Sequence, residues 1–104
     1  MKSAAERSQK AKSASEQRPS WRRQACLDAA GGKPLMFVDG HDDAIMGVAE
    51  VRGEPRVVYN IEAIVHELMR RDGMDREGAL EFFEYNIVGA RIGKRAPVFL
   101  TTLS

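Results

Sequence analysis

A chain of 104 residues has room for one small domain, and its formal net charge of +1 hides an internal asymmetry. Residues 1–34 hold eight Lys/Arg against three acids, a net +5, while the remainder holds eight against twelve, a net −4. A basic arm suits a polyanionic partner and an acidic body does not, so the whole chain does not fit a dedicated nucleic-acid binder.

Cys26 is the single cysteine. No intrachain disulfide and no multi-Cys zinc site can be built on it, and it is expected to be a bystander in the arm. No apolar run approaches the ~20 residues of a membrane span, so no membrane partner is expected. The start of the chain lacks the apolar core of a secretory signal. The expectation is a soluble intracellular protein.

Residues 1–33 are rich in Ser, Ala, Gln, Lys and Arg, with no large apolar residue between Met1 and Trp21. Such a segment buries too little to offset the entropy of ordering, so a disordered basic arm is predicted. Trp21, Arg22 and Arg23 are its only basic-aromatic cluster, a candidate for weak nonspecific nucleic-acid contact. Gly31, Gly32 and Pro34 mark the boundary, and residues 34–104 form the predicted domain.

Within it, LMFV at 35–38 reads as a strand ended by the Asp39-Gly40 turn. A second strand is predicted over 44–51, with Gly47 permitting close approach of another backbone. Residues 44–50 also admit a helix. A turn follows at 52–55, and RVVY at 56–59 is β-branched and aromatic, a third strand.

Asn60 is a good N-cap. After it, Ile61, Ile64, Val65 and Leu68 recur at helical spacing. Arg70 and Arg71 suit the last turn, and Gly73 the left-handed position beyond it. Asp75 caps a second helix with the stripe Ala79, Phe82, Phe83, Asn86, Ile87 and Ala90. The short link between the two predicts a helical hairpin. Residues 96–102 form a last strand, which Pro97 places at an edge or makes a strand start.

The expected fold is therefore α+β: a small, mainly antiparallel sheet in the order β-β-β-α-α-β, with the helical hairpin on one face. Leu35, Phe37, Ile45, Val48, Val57, Ile64, Val65, Leu68, Phe82, Phe83, Ile87, Val98 and Leu100 would supply the core.

Chemistry concentrates in the turn Asp39-Gly40-His41-Asp42-Asp43. Three carboxylates and an imidazole in five residues suit recognition of a partner or, less well, a hard cation. The spacing departs from the Ca²⁺ loop pattern, and no cofactor is called for. Asn86 is the one polar residue on an apolar stripe and must find hydrogen bonds if buried. It is expected to bond the turn at Asp42, Asp43 or nearby backbone. Asp39, His41, Asp42, Asp43 and Asn86 are thus the candidate binding residues. His66 reads as solvated. No catalytic nucleophile motif and no phosphate-binding glycine loop is present.

DGHDDAIMGV at 39–48, VVYN at 57–60, EFFEYNIVGA at 81–90 and APVFL at 96–100 together resemble a family of small uncharacterised proteins of tailed phages and prophages. The similarity spans about two-thirds of the chain, leaving out residues 1–33. Asn60 stands where that family usually has Asp, and Arg95-Ala96 where a Thr usually precedes the proline. The resemblance implies a setting, a phage or prophage product in the bacterial cytoplasm, and no particular chemistry.

The expected function is that of a non-enzymatic accessory protein whose acidic turn binds a protein of host or phage. A metal-dependent hydrolase or nuclease-like enzyme using Asp39, His41, Asp42 and Glu84 is the first alternative. A nucleic-acid binder acting through Trp21, Arg22 and Arg23 is the second.

Overall fold

The computed structural model describes residues 20–103. The expected mobility of residues 1–19 lies outside that range. Elements follow as α1 (Trp21–Ala29), a 3₁₀ turn (Asp42–Ala44), β1 (Ile45–Val51), β2 (Glu54–Asn60), α2 (Ile61–Asp72), α3 (Arg76–Phe82), a π-helical turn (Phe83–Val88) and β3 (Val98–Leu100). The fold is α+β, with a three-stranded sheet in the order β1-β2-β3. β1 and β2 run antiparallel, and β3 joins β2 in parallel.

Residues 20–33 depart from the predicted arm. Ser20 caps α1 by accepting a hydrogen bond from the Arg23 amide at 3.2 Å. Cys26 is buried in the core at 3 % exposure, so it is a packing residue rather than a bystander. The described domain therefore includes α1 and does not begin at Pro34. The order over the described residues is α-β-β-α-α-β.

The segment 35–38, expected as a strand, pairs with no neighbour in the sheet. Its buried Val38 amide is satisfied by a side chain instead, donating to the Tyr59 hydroxyl at 2.7 Å. Residues 44–50 are mainly strand, not helix, and β1 carries a bulge between Ile45 and Gly47. A Cβ placed on Gly47 would meet nothing within 4 Å, so no backbone packs closely over the face where its side chain would stand. β1 and β2 are joined by Arg52 (φ 53°) and Gly53 (φ 83°). Both lie in the left-handed region, as a two-residue hairpin turn matched to strand twist requires.

β2 alternates without fault. Pro55, Val57 and Tyr59 are buried while Glu54, Arg56, Val58 and Asn60 are half-buried. Against its buried face α2 lays Ile64, Val65 and Leu68, α3 lays Ala79, and the π-turn lays Phe83. Asn60 caps α2 by accepting from the Ala63 amide at 3.1 Å, and Gly73 ends it in the left-handed conformation at φ 70°. Asp75 caps α3 by accepting from the Gly78 amide at 2.8 Å. Phe99 stands edge-on to Phe83 with ring centroids 5.2 Å apart and stacks on Tyr59 at 5.9 Å.

The second hairpin helix differs from its predicted register. After Phe82 the backbone winds as a π-turn, closed by the Gly89 amide donating to the Glu84 carbonyl at 3.0 Å. Ala79, Phe83 and Ile87 stand on the core face, four residues apart, with half-buried Val88 packed beside them. Phe82, expected in the core, is 37 % exposed, and Asn86 faces solvent. Leu100 is also exposed, and Val98 is half-buried outside the core cluster. Among the described residues no helix is long and apolar enough to cross a membrane.

Candidate functional site

The acidic turn is built between α1 and α2. Gly40 takes φ 89°, which redirects the chain so that His41 points inward and Asp39 outward. The Ala44 amide then donates to the His41 carbonyl at 3.0 Å and closes the 3₁₀ turn.

Asp42 is held by α1. Arg23 Nε donates to both Asp42 oxygens at 2.8 and 2.9 Å, and Ser20 Oγ donates to Asp42 Oδ2 at 2.8 Å. Arg23 Nη2 reaches Asp39 Oδ1 at 2.9 Å, and its guanidinium lies 4.6 Å above the Phe37 ring. Burial pulls the Arg23 pKa down, but bonds and charges from Asp39 and Asp42 outweigh it, and the net shift is upward. Asp43 is exposed and makes a loose pair with Arg22 at 3.5 Å. Arg22 in turn lies 4.6 Å over the Trp21 ring. Part of the basic arm thus neutralises the acidic turn within one molecule.

His41 is held from the other side. Its ring is buried, with Nδ1 2.7 Å from Glu67 Oε1 on α2. Against an ionised carboxylate Nδ1 is the donor. Arg71 Nη2 lies 3.7 Å from the same oxygen and donates to the Gly40 carbonyl at 2.7 Å. Glu67 was not among the expected site residues. Its signal is in the sequence all the same: on α2 it falls three residues after Ile64 and next to Leu68, inside the apolar stripe.

Of the five predicted binding residues, Asp39, His41, Asp42 and Asp43 come together around this turn. Asn86 does not bond it. Its carbonyl accepts from Arg91 Nη1 at 3.4 Å, and its amide meets no turn group among the described residues. It does share a groove with the turn. A cavity of about 430 Å³ runs from Asp39, Gly40 and His41 past Arg71 to Asn86 and Arg91. A second hollow of similar volume adjoins it, sharing Phe82 and Asn86 and lined further by Met74, Gly78, Glu81 and Tyr85.

Asp42 and His41 are each committed to a partner of this chain, and Glu84 is exposed on the π-turn. Among the described residues no three His, Cys, Asp or Glu side chains converge to hold a metal ion. Arg22 and Arg23 are likewise engaged by carboxylates. What the turn presents outward is Asp39, 93 % exposed, Asp43, 83 % exposed, and the groove beside them. No family model matches this chain, and neither does any curated protein or solved structure.

Proposed function

We propose that this chain is a small phage or prophage accessory protein, working in the bacterial cytoplasm, that binds a protein partner through the face around the acidic turn. The observation that carries this is the groove joining Asp39 and His41 to Asn86, beside the exposed Tyr85. Protein-binding faces combine an exposed aromatic anchor with a polar rim, and this face holds both. The ties from Arg23, Arg71 and Glu67 keep the turn in one conformation, so little ordering entropy is lost on binding. The phage setting rests on the sequence motifs alone.

The test is affinity capture from bacterial lysate, followed by calorimetry with the purified captured protein. Reversing the two outward charges, Asp39→Lys with Asp43→Lys, should weaken that binding at least tenfold, about 1.4 kcal/mol. Unchanged affinity would place the interface elsewhere and sink the proposal.

A further inference from the structure

The hollow beside the turn groove combines apolar side chains with carboxylates. Its floor is Met74, Phe82 and Tyr85 around Gly78, with Asn86 at one side, and among the described residues its only charged lining residues are the carboxylates Asp75 and Glu81. Tyr85 is 77 % exposed and Phe82 37 % exposed, unusual for aromatic rings on a helix whose other face is core. Phe82 closes α3 and Tyr85 follows on the π-turn, both exposed while Phe83 and Ile87 are buried.

The surrounding charges have the same sign. Glu77 and Glu84 are exposed on the same segment, and Arg76, the one cation of that segment, is held by both oxygens of Glu62 at 2.7 and 2.9 Å. In the neighbouring groove Arg71 and Arg91 donate to carbonyls of this chain. Among the described residues, the free charges lining the hollow are therefore negative. An apolar floor with a carboxylate rim suits a side chain with an apolar stem and a cationic head.

We infer that this hollow receives an arginine side chain of the protein partner, which rests on the proposed binding role of this face. Arginine fits better than lysine. Its planar guanidinium can stack on Tyr85 while forking onto a carboxylate, and Glu81 lies one helical turn before Tyr85. Its methylene stem would cover Phe82 and Met74. Asp75 is a weaker partner, because its Oδ1 already accepts from the Gly78 amide.

The probe is the capped peptide acetyl-Leu-Arg-Leu-amide, titrated into the full chain and followed by backbone amide shifts. Saturable shifts should appear at Met74, Gly78, Glu81, Phe82 and Tyr85. The isosteric citrulline peptide, lacking the charge, should bind at least fivefold more weakly. Tyr85→Ala and Glu81→Gln should each do the same to the arginine peptide, with circular dichroism unchanged, since both side chains are exposed. Equal binding of the citrulline peptide, or indifference to both substitutions, would overturn the inference. So would the absence of saturable shifts. If these failures occur while Asp39→Lys with Asp43→Lys still abolishes partner binding, only the arginine pocket falls. If that double variant is also without effect, the role of the whole face falls with it.

Discussion

Arg23 and Asp42, nineteen residues apart, meet through a forked contact in which one Nε donates to both carboxylate oxygens at 2.8 and 2.9 Å. Each side chain is 24 % exposed. This contact fastens α1 to the acidic turn and converts the two oppositely charged parts of the chain into neighbours.

Removing α1 should consequently destabilise the domain. A chain beginning at Pro34 loses the Arg23 and Ser20 bonds to Asp42 and uncovers the site of buried Cys26. A loss of roughly 2–3 kcal/mol corresponds to a Tm drop of at least about 10 °C for a domain of this size. Arg23→Ala alone should cost roughly 1–2 kcal/mol, because Asp42 is left half-buried without its cation. Differential scanning calorimetry of both chains checks this, and equal Tm values would mean that α1 only rests on the surface.

Glu67→Ala leaves the buried His41 Nδ1 without a partner and should cost roughly 2–4 kcal/mol in urea unfolding. Glu67→Gln retains an oxygen to accept from Nδ1–H and should cost about 1 kcal/mol or less. A Glu67→Gln variant as unstable as Glu67→Ala would show that charge, not hydrogen bonding, holds the pair.

Burial pushes the Tyr59 hydroxyl up to about 12 from its ordinary 10, against the opposing effect of the bond from Val38. A raised acid pKa contributes stability that is fully present below the unfolded value. That contribution is lost as pH rises from about 10 through about 12. The loss should total roughly 2–3 kcal/mol, and a Tyr59→Phe chain should not show it. Urea midpoints measured in steps from pH 9 to 12, in a Tyr85→Phe background so that phenolate absorbance reports Tyr59 alone, test the sign and the window.

Asn86→Leu should be nearly neutral, within about 0.5 kcal/mol, since the amide faces solvent and bonds no turn group. The sequence stripe alone would have assigned it roughly 1–3 kcal/mol, the cost of leaving polar groups of the acidic turn unpaired. A cost in that range would require Asn86 to turn inward in solution.

Local chemistry wrote much of this fold into the sequence. Asn60, Gly73 and Asp75 act where short-range capping rules put them, because each needs only a backbone amide or a left-handed φ within a few residues. β2 alternates as its β-branched and aromatic run requires, and the α2 stripe packs as its spacing demands. The aspartates and histidine of the turn are adjacent in sequence, so their proximity was never in doubt. Three things depended on contacts that sequence does not display. The first is α1, whose weak apolar content suffices only because Asp42 and the Cys26 site lie beside it. The second is the fate of His41, decided by Glu67, 26 residues away. The third is the π-turn, where one widened turn after Phe82 moves Asn86 out of a stripe that a regular 3.6-residue period would have kept together. Sequence set the local hydrogen bonds and the apolar period. Long-range pairing decided which charges cancel, and one change of helical pitch turned Asn86 to the solvent.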